Sequence, residues 1–314
     1  MHYKQIISDS WKYTQENKKL IIWFGFIPSI FTTTFGVGYM TYQFFAFKNS
    51  YLFGSEKHGV LGELLGYIWN FVKTHTSLSI PLIIMLVIFM VIYLLLPTLC
   101  RAAAIQTIAR NKNGQNVGVG AGLKYGFMPF LKLFEYHLLI KTFGFFSILF
   151  EMGFVMRNLG LTIFELLLPV FILFIVIGFI LTLLFTYADF YIVVDDENVF
   201  ESMKKSAKLV MTHWKHTFLV TVLMMLIGVR IIFQVFLVFL IPSLIIGITG
   251  YLATVTLPVT GVIVGGSVGL IALLIASYLN GIVDVFSYTV WTHTFLDLST
   301  QKELSAREAA VVNE

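Results

Sequence analysis

Lys141, Glu151, Glu165, Arg230 and Asp284 sit inside long apolar runs of the chain. A charge in hydrocarbon costs several kcal/mol unless it is paired or hydrated, so such residues belong to ion pairs, polar cavities or substrate paths. At 1.5 Å per helical residue, Lys141 lies about 13 Å and Asp284 about 12–16 Å from the inner ends of their runs, at depths that let them pair. Arg230 lies deeper, at about 18–22 Å, within reach of Glu151 or Glu165 on the outer side. Two readings stay open: pairs that fix helix register, and a polar cavity for a substrate, an ion or a lipid headgroup. His213 and His216 stand three apart beside Trp214, but a metal site needs further ligands, and headgroup contact is the simpler role. No H-E-x-x-H, C-x-x-C, G-x-S-x-G or Walker pattern occurs. Gly118-Val-Gly-Ala-Gly122 does not follow a strand and reads as a flexible lead-in to a helix. The single cysteine, Cys100, can form no intrachain disulfide. The sequence thus predicts no catalytic residue, no metal and no cofactor.

These residues are carried by elements of unusual composition. Hydrophobic residues make up 58% of the chain and charged ones 12%, about half the charge of a soluble domain. That balance suits helices whose solvent is lipid. The expected class is all-α, a polytopic integral membrane protein with six transmembrane helices in one domain over residues 1–300 and a short cytoplasmic tail over 301–314. A helix needs about 20 residues to cross the hydrocarbon. The windows that satisfy this are Leu20 to Phe47, Leu78 to Cys100, Leu131 to Met156, Leu161 to Tyr187, Phe218 to Ile246 and Pro258 to Phe295. Pro242, Gly247, Gly250 and Pro258 interrupt the stretch from Ile241 to Pro258, which is either the end of span five with a turn or a short re-entrant piece. Gly62 to Val72 reads as a further surface helix on the extracytoplasmic side. The polar segment from His2 to Lys19, with no small-residue cleavage site in the expected place, makes the first window a retained span rather than a signal peptide.

Lys4, Lys12, Lys18 and Lys19, then Arg101, Arg110, Lys112, Lys124 and Lys132, then Lys204, Lys205, Lys208 and Lys215, and last Lys302 and Arg307 fall on one side of the six windows. Only Lys48, Lys57, Lys73 and Arg157 fall on the other. The bias places both termini in the cytoplasm of a multi-pass plasma-membrane protein. An amphipathic segment precedes each odd-numbered window. Its stripe is Tyr3, Ile7, Trp11 and Thr14 in the first, Val119, Leu123, Phe127 and Phe130 in the second, and Val199, Met203, Ala207, Val210 and Trp214 in the third. Asn198 with Glu201 can form a capping box for the last. Ser10-Trp11-Lys12, Gly122-Leu123-Lys124 and Ser206-Ala207-Lys208 align, and Lys19, Lys132 and Lys215 follow about nine residues later. The pattern predicts three units, near 1–100, 117–196 and 197–297, each an interfacial helix followed by a two-span hairpin. Lys12, Lys19, Lys124, Lys132, Lys204, Lys205, Lys208 and Lys215 are the expected contacts to anionic lipid headgroups. Gly261, Gly265 and Gly269 form a ridge of four-residue spacing that admits a close helix neighbour, from this chain or from a second protomer.

The stretch Tyr191-Ile-Val-Val-Asp-Asp-Glu-Asn-Val-Phe-Glu-Ser-Met-Lys-Lys-Ser-Ala-Lys-Leu-Val with Trp214 resembles the six-span membrane domain that precedes some bacterial glycerophosphodiester phosphodiesterases, and that domain's free-standing relatives. The likeness is best from about Asp189 to Leu219. It implies an architecture and carries no activity, and the catalytic phosphodiesterase domain of the fused members has no counterpart here. The function expected is therefore that of a non-enzymatic membrane protein that organises or partners lipid, other membrane proteins or its own copies. The +4 net charge serves orientation rather than nucleic acid. A transporter or carrier of a lipid or small solute is the alternative, and a membrane-embedded enzyme of lipid metabolism the third reading.

Overall fold

The run Leu78 to Cys100 forms most of a single helix of 37 residues, Thr76–Lys112, which continues well beyond the last apolar residue of the run. The computed structural model describes residues 3–48, 60–141, 143–229 and 258–312, and every regular element among them is helical. In chain order these are α1 (Tyr3–Glu16), α2 (Lys18–Leu20), a π-helical turn (Ile21–Phe26), α3 (Ile27–Lys48), α4 (Val60–Thr74), α5 (Thr76–Lys112), α6 (Val119–Phe127), α7 (Phe130–Lys141), α8 (Phe145–Asn158), α9 (Leu161–Leu184), α10 (Ala188–Val194), α11 (Val199–Thr212), α12 (Trp214–Val229) and α13 (Pro258–Val312). The surface helix expected at Gly62 to Val72 is α4.

Four stretches are long and apolar enough to cross a membrane: Lys18–Tyr39, Thr76–Lys112, Leu161–Val194 and Gly266–Thr300. The pair α11 and α12, bent by 97° at His213, would make a fifth. Four or five spans among the described residues is thus what the structure holds against the six expected. The third window, Leu131 to Met156, is two short helices, α7 and α8, with Gly144 as N-cap of the second. The break packs on α9, where the Phe143 carbonyl occupies the place a side chain at Gly178 would take. The second half of the fifth window, with the stretch from Ile241 to Pro258, lies outside the described residues.

Burial divides the long helices into two halves. In α5, Ile80, Leu82 to Ile88 and Met90 are about half exposed, whereas Cys100, Ala102 to Ile105 and Thr107 to Ala109 are buried. In α9 and α10, Ile172, Leu173 and Phe179 are exposed and Tyr187 to Val193 buried. In α13, Leu270, Ile271 and Ile275 are exposed, while Val285, Phe286, Val290, Phe295 and Leu298 are buried. Water does not tolerate so large an apolar surface. Lipid does, and the chain is a membrane-associated protein on that ground. The packed half holds a main cluster of Ala102, Ile105, Leu133, Tyr187, Ile192, Val193, Leu209 and Phe295, a second of Leu20, Phe24, Ala103, Ile108 and Val285, and a smaller one of Val220, Phe286 and Val290.

Each of the three aligned segments buries a small residue, Ser10, Gly122 or Ser206. Ser10 of α1 is buried with its Oγ 3.3 Å from His293 Nδ1 of α13. Gly122 and Gly126 of α6 press on Thr107 and Ala103 of α5. Ser206 of α11 is buried, donates to the Leu184 carbonyl at 2.8 Å and accepts from the Tyr187 amide at 3.0 Å. At Gly126 the absence of a side chain lets α6 meet the main chain of α5 at Ala103. On α6 the expected apolar stripe then points outward, with Leu123 and Phe127 exposed. On α11 it does not: Val199 and Val210 are buried and Trp214 is exposed. Asn198 occupies the N-cap of α11 but makes no side-chain capping bond, so the expected capping box is not formed. The acidic turn before α11 is held from outside instead. Asp196 adopts a left-handed backbone (φ 55°), which Asp tolerates better than most residues. Lys132 Nζ reaches its carbonyl at 2.8 Å and its carboxylate at 2.9 Å.

The glycine that carries a close crossing on α13 is Gly281, three helical repeats beyond the predicted ridge. It meets the backbone of Gly25 and Phe26 in the π-helical turn, and Gly25 in turn meets Gly281. Gly269 has no heavy atom of the described residues within 4 Å of where a side chain would start. The surroundings of Gly261 and Gly265 lie outside the described residues.

Candidate functional site

Arg101 is the first residue after the apolar run of α5. Because α5 continues for eleven more residues, Arg101 stays inside the helix rather than opening a loop, and its side chain pairs with Asp189 of α10. The Asp189 side chain is only 5% exposed. Its Oδ2 also lies 3.4 Å from His137 Nε2 of α7, and His137 Nδ1 lies 3.5 Å from Thr98 Oγ1 one turn before Arg101. The guanidinium stands 5.3 Å from the centre of the Tyr288 ring on α13, a cation–π distance. One turn before Tyr288, Asp284 accepts a 3.3 Å hydrogen bond from Ser29 of α3. Tyr136, beside His137, donates to the Phe185 carbonyl at 3.1 Å. Helices α3, α5, α7, α10 and α13 therefore converge on one polar centre. Buried charges persist where each has partners, and here one carboxylate is shared by two donors. Arg101 Nε is buried with no hydrogen-bond partner among the described residues.

Arg101 and His137 also border a cavity of roughly 340 Å³ between α3, α5 and α7. Thr32, Tyr93 and Thr98 add hydroxyls, and Leu94, Pro97, Phe134, Leu138 and Ile140 supply an apolar wall. Phe35 of α3 stacks on Tyr93 with centroids 3.9 Å apart and on Phe89 at 5.5 Å, which fixes that wall. The volume is that of a small-ligand site.

Of the charges singled out from sequence, Asp284 joins this centre. The side chain of Lys141, last residue of α7, and the whole of Arg230 lie outside the described residues. Glu151 and Glu165 are exposed and take part in no ion pair among the described residues. Arg101, Asp189 and His137 were not singled out. Arg101 looks like a loop charge at the end of a span, and Asp189 like the beginning of an acidic turn. The available signal was the run Ala102-Ala103-Ala104 directly after Arg101, too small and apolar for a cytoplasmic loop.

Among the lysines expected at the inner leaflet, Lys12 meets Glu16 at 3.9 Å, Lys132 meets Asp196, and Lys205 meets Glu197 at 2.5 Å. Lys19, Lys124, Lys204, Lys208 and Lys215 are exposed. The end of α5 is tied to α13 by Lys112 and Asp297 at 2.5 Å. Asn111 donates to Tyr13 of α1 at 2.9 Å, and burial raises the Tyr13 phenol above its usual pKa in spite of that bond. The rings of His213 and His216 are 6.3 Å apart, and among the described residues no group of three or more metal-ligating side chains forms. No family model, no curated protein and no solved structure matches the chain.

Proposed function

We propose that this is a non-enzymatic plasma-membrane protein of six spans, with both termini cytoplasmic, that holds lipid at the inner leaflet. One observation carries the reading: the cavity is bordered both by Arg101 and His137 and by the apolar Leu94, Pro97, Phe134, Leu138 and Ile140, and Arg101 falls where the apolar run of α5 stops. That depth is where hydrocarbon gives way to headgroups. The exposed lysines Lys19, Lys124 and Lys215 favour anionic lipid on the same side. The burial of Ser10, Gly122 and Ser206 at the aligned positions supports three hairpin units. The 97° bend between α11 and α12 supports an interfacial helix leading into a span. Kinship with the six-span domain of the phosphodiesterase family is proposed on the acidic turn and the basic helix after it.

The test is native mass spectrometry of the full chain released from nanodiscs made with the lipids of its own membrane. Lipid that stays bound through mild detergent is the expected result, and a lipid-free protein overturns the reading. The cavity also favours a second reading, a carrier of lipid or small solute, because it opens between helices rather than being sealed by them. Flux of a labelled lipid across proteoliposomes, above that of empty vesicles, would replace holding by transport.

A further inference from the structure

We infer that the cavity between α3, α5 and α7 seats one anionic amphiphile, its phosphate or carboxylate on Arg101 and its first methylenes against Pro97, Phe134 and Leu138; this rests on the lipid-holding reading above. The guanidinium offers five donors in a rigid fork. Asp189 engages a terminal nitrogen, and Nε has no partner among the described residues. The Arg101 side chain is 36% exposed and lines the cavity, so an acceptor entering there meets the open part of the guanidinium fork.

The sign of the ligand follows from what lines the wall. Arg101, His137 and the hydroxyls of Thr32, Tyr93 and Thr98 border the cavity. The two carboxylates of the centre do not: Asp189 is turned to Arg101 and His137, and Asp284 to Ser29. A cation in the cavity would face Arg101 with no counter-charge in contact. A neutral chain would leave the guanidinium and the hydroxyls of the lining against apolar groups. A free anion would use the polar lining alone and leave the wall of Leu94, Pro97, Phe134 and Leu138 idle. The length also fits an amphiphile. Tyr93 lies eight residues before Arg101 on α5, about 12 Å along the axis, which is room for a headgroup and several methylenes.

The experiment uses the full chain in phosphatidylcholine nanodiscs containing an equal share of phosphatidylglycerol of the same acyl chains. Bound lipids are counted by native mass spectrometry after transfer to mild detergent. Phosphatidylglycerol should be retained about tenfold over phosphatidylcholine. Leu138→Trp fills the cavity from its apolar wall without replacing a member of the ion pair and should lower that retention about tenfold while the thermal midpoint stays unchanged. Arg101→Lys keeps the charge, loses the fork and should weaken retention as well; if it does not fold, Leu138→Trp still decides. Inorganic phosphate at millimolar concentration should leave the lipid in place, and displacement by phosphate would overturn the amphiphile in favour of a free anion. Equal retention of both lipids, or full phosphatidylglycerol retention by Leu138→Trp, overturns this inference alone. A protein that retains neither lipid overturns the lipid-holding reading with it.

Discussion

Asp189 holds Arg101 and His137 through a single carboxylate oxygen. That economy makes the centre sensitive to substitution. Asp189→Asn keeps the shape but leaves a guanidinium without its counter-charge. Removing one partner of a buried pair costs about 3–5 kcal/mol, whereas replacing both by apolar residues of similar volume is often neutral. The expected outcome is a large fall in the thermal midpoint of Asp189→Asn in detergent. Much of it should be recovered in the double variant Arg101→Leu, Asp189→Leu, and the cycle of the two single variants and the double isolates the pair. A single variant as stable as the parent would mean that water solvates Arg101 through the cavity and that the ion pair contributes little.

Among the elements, the close crossings decide which helices can meet. Gly25 and Gly281 touch backbone to backbone, as do Gly126 and Ala103, and a methyl group at either glycine must displace a main chain. Overpacking of this kind costs about 1–3 kcal/mol. Gly281→Ala should therefore lower the midpoint of thermal unfolding, while Gly269→Ala should not shift it. If the two alanine variants are equally harmful, the ridge begun by Gly261 and Gly265 is engaged along its whole length. Helix packing was legible in the sequence as small residues at four-residue spacing, but the position of the crossing was not. Apolar runs mark the stretch of helix immersed in lipid, and they say nothing of helix that continues inside protein. This is why α5, α9 to α10 and α13 were read correctly as membrane helices while Arg101 and Asp189, at the ends of the runs, passed for loop charges. The opposite error arises within the window Leu131 to Met156: hydropathy joins it into one span, but α7 and α8 are separate helices. Only packing on Gly178 of α9 locates that break, and packing is not written in a run of apolar letters. Asp284 was found because it interrupts a run from within.

At the scale of the molecule, the polar centre and the tie between the end of α5 and α13 lie in the packed half, and the exposed apolar half extends away from them. The proposed six-span topology, with its lysine and arginine bias, puts the packed half on the cytoplasmic side. Lys73 near the end of α4 and Lys208 on α11 are both exposed and should lie on opposite faces of the bilayer. The native background for labelling is low, because Cys100 is the only cysteine and is buried. A membrane-impermeant maleimide added to intact cells, with any outer envelope opened, should label Lys73→Cys and leave Lys208→Cys unlabelled until the membrane is permeabilised. The reverse pattern would invert the molecule, place Lys132 and Lys215 outside, and remove anionic inner-leaflet lipid as the partner of the basic helices. Labelling of both positions without permeabilisation would mean an even number of crossings between them, as when α5 and α9 to α10 cross and α7 with α8 does not. The break between α7 and α8 would then belong to a reduced set of spans rather than to one interrupted crossing.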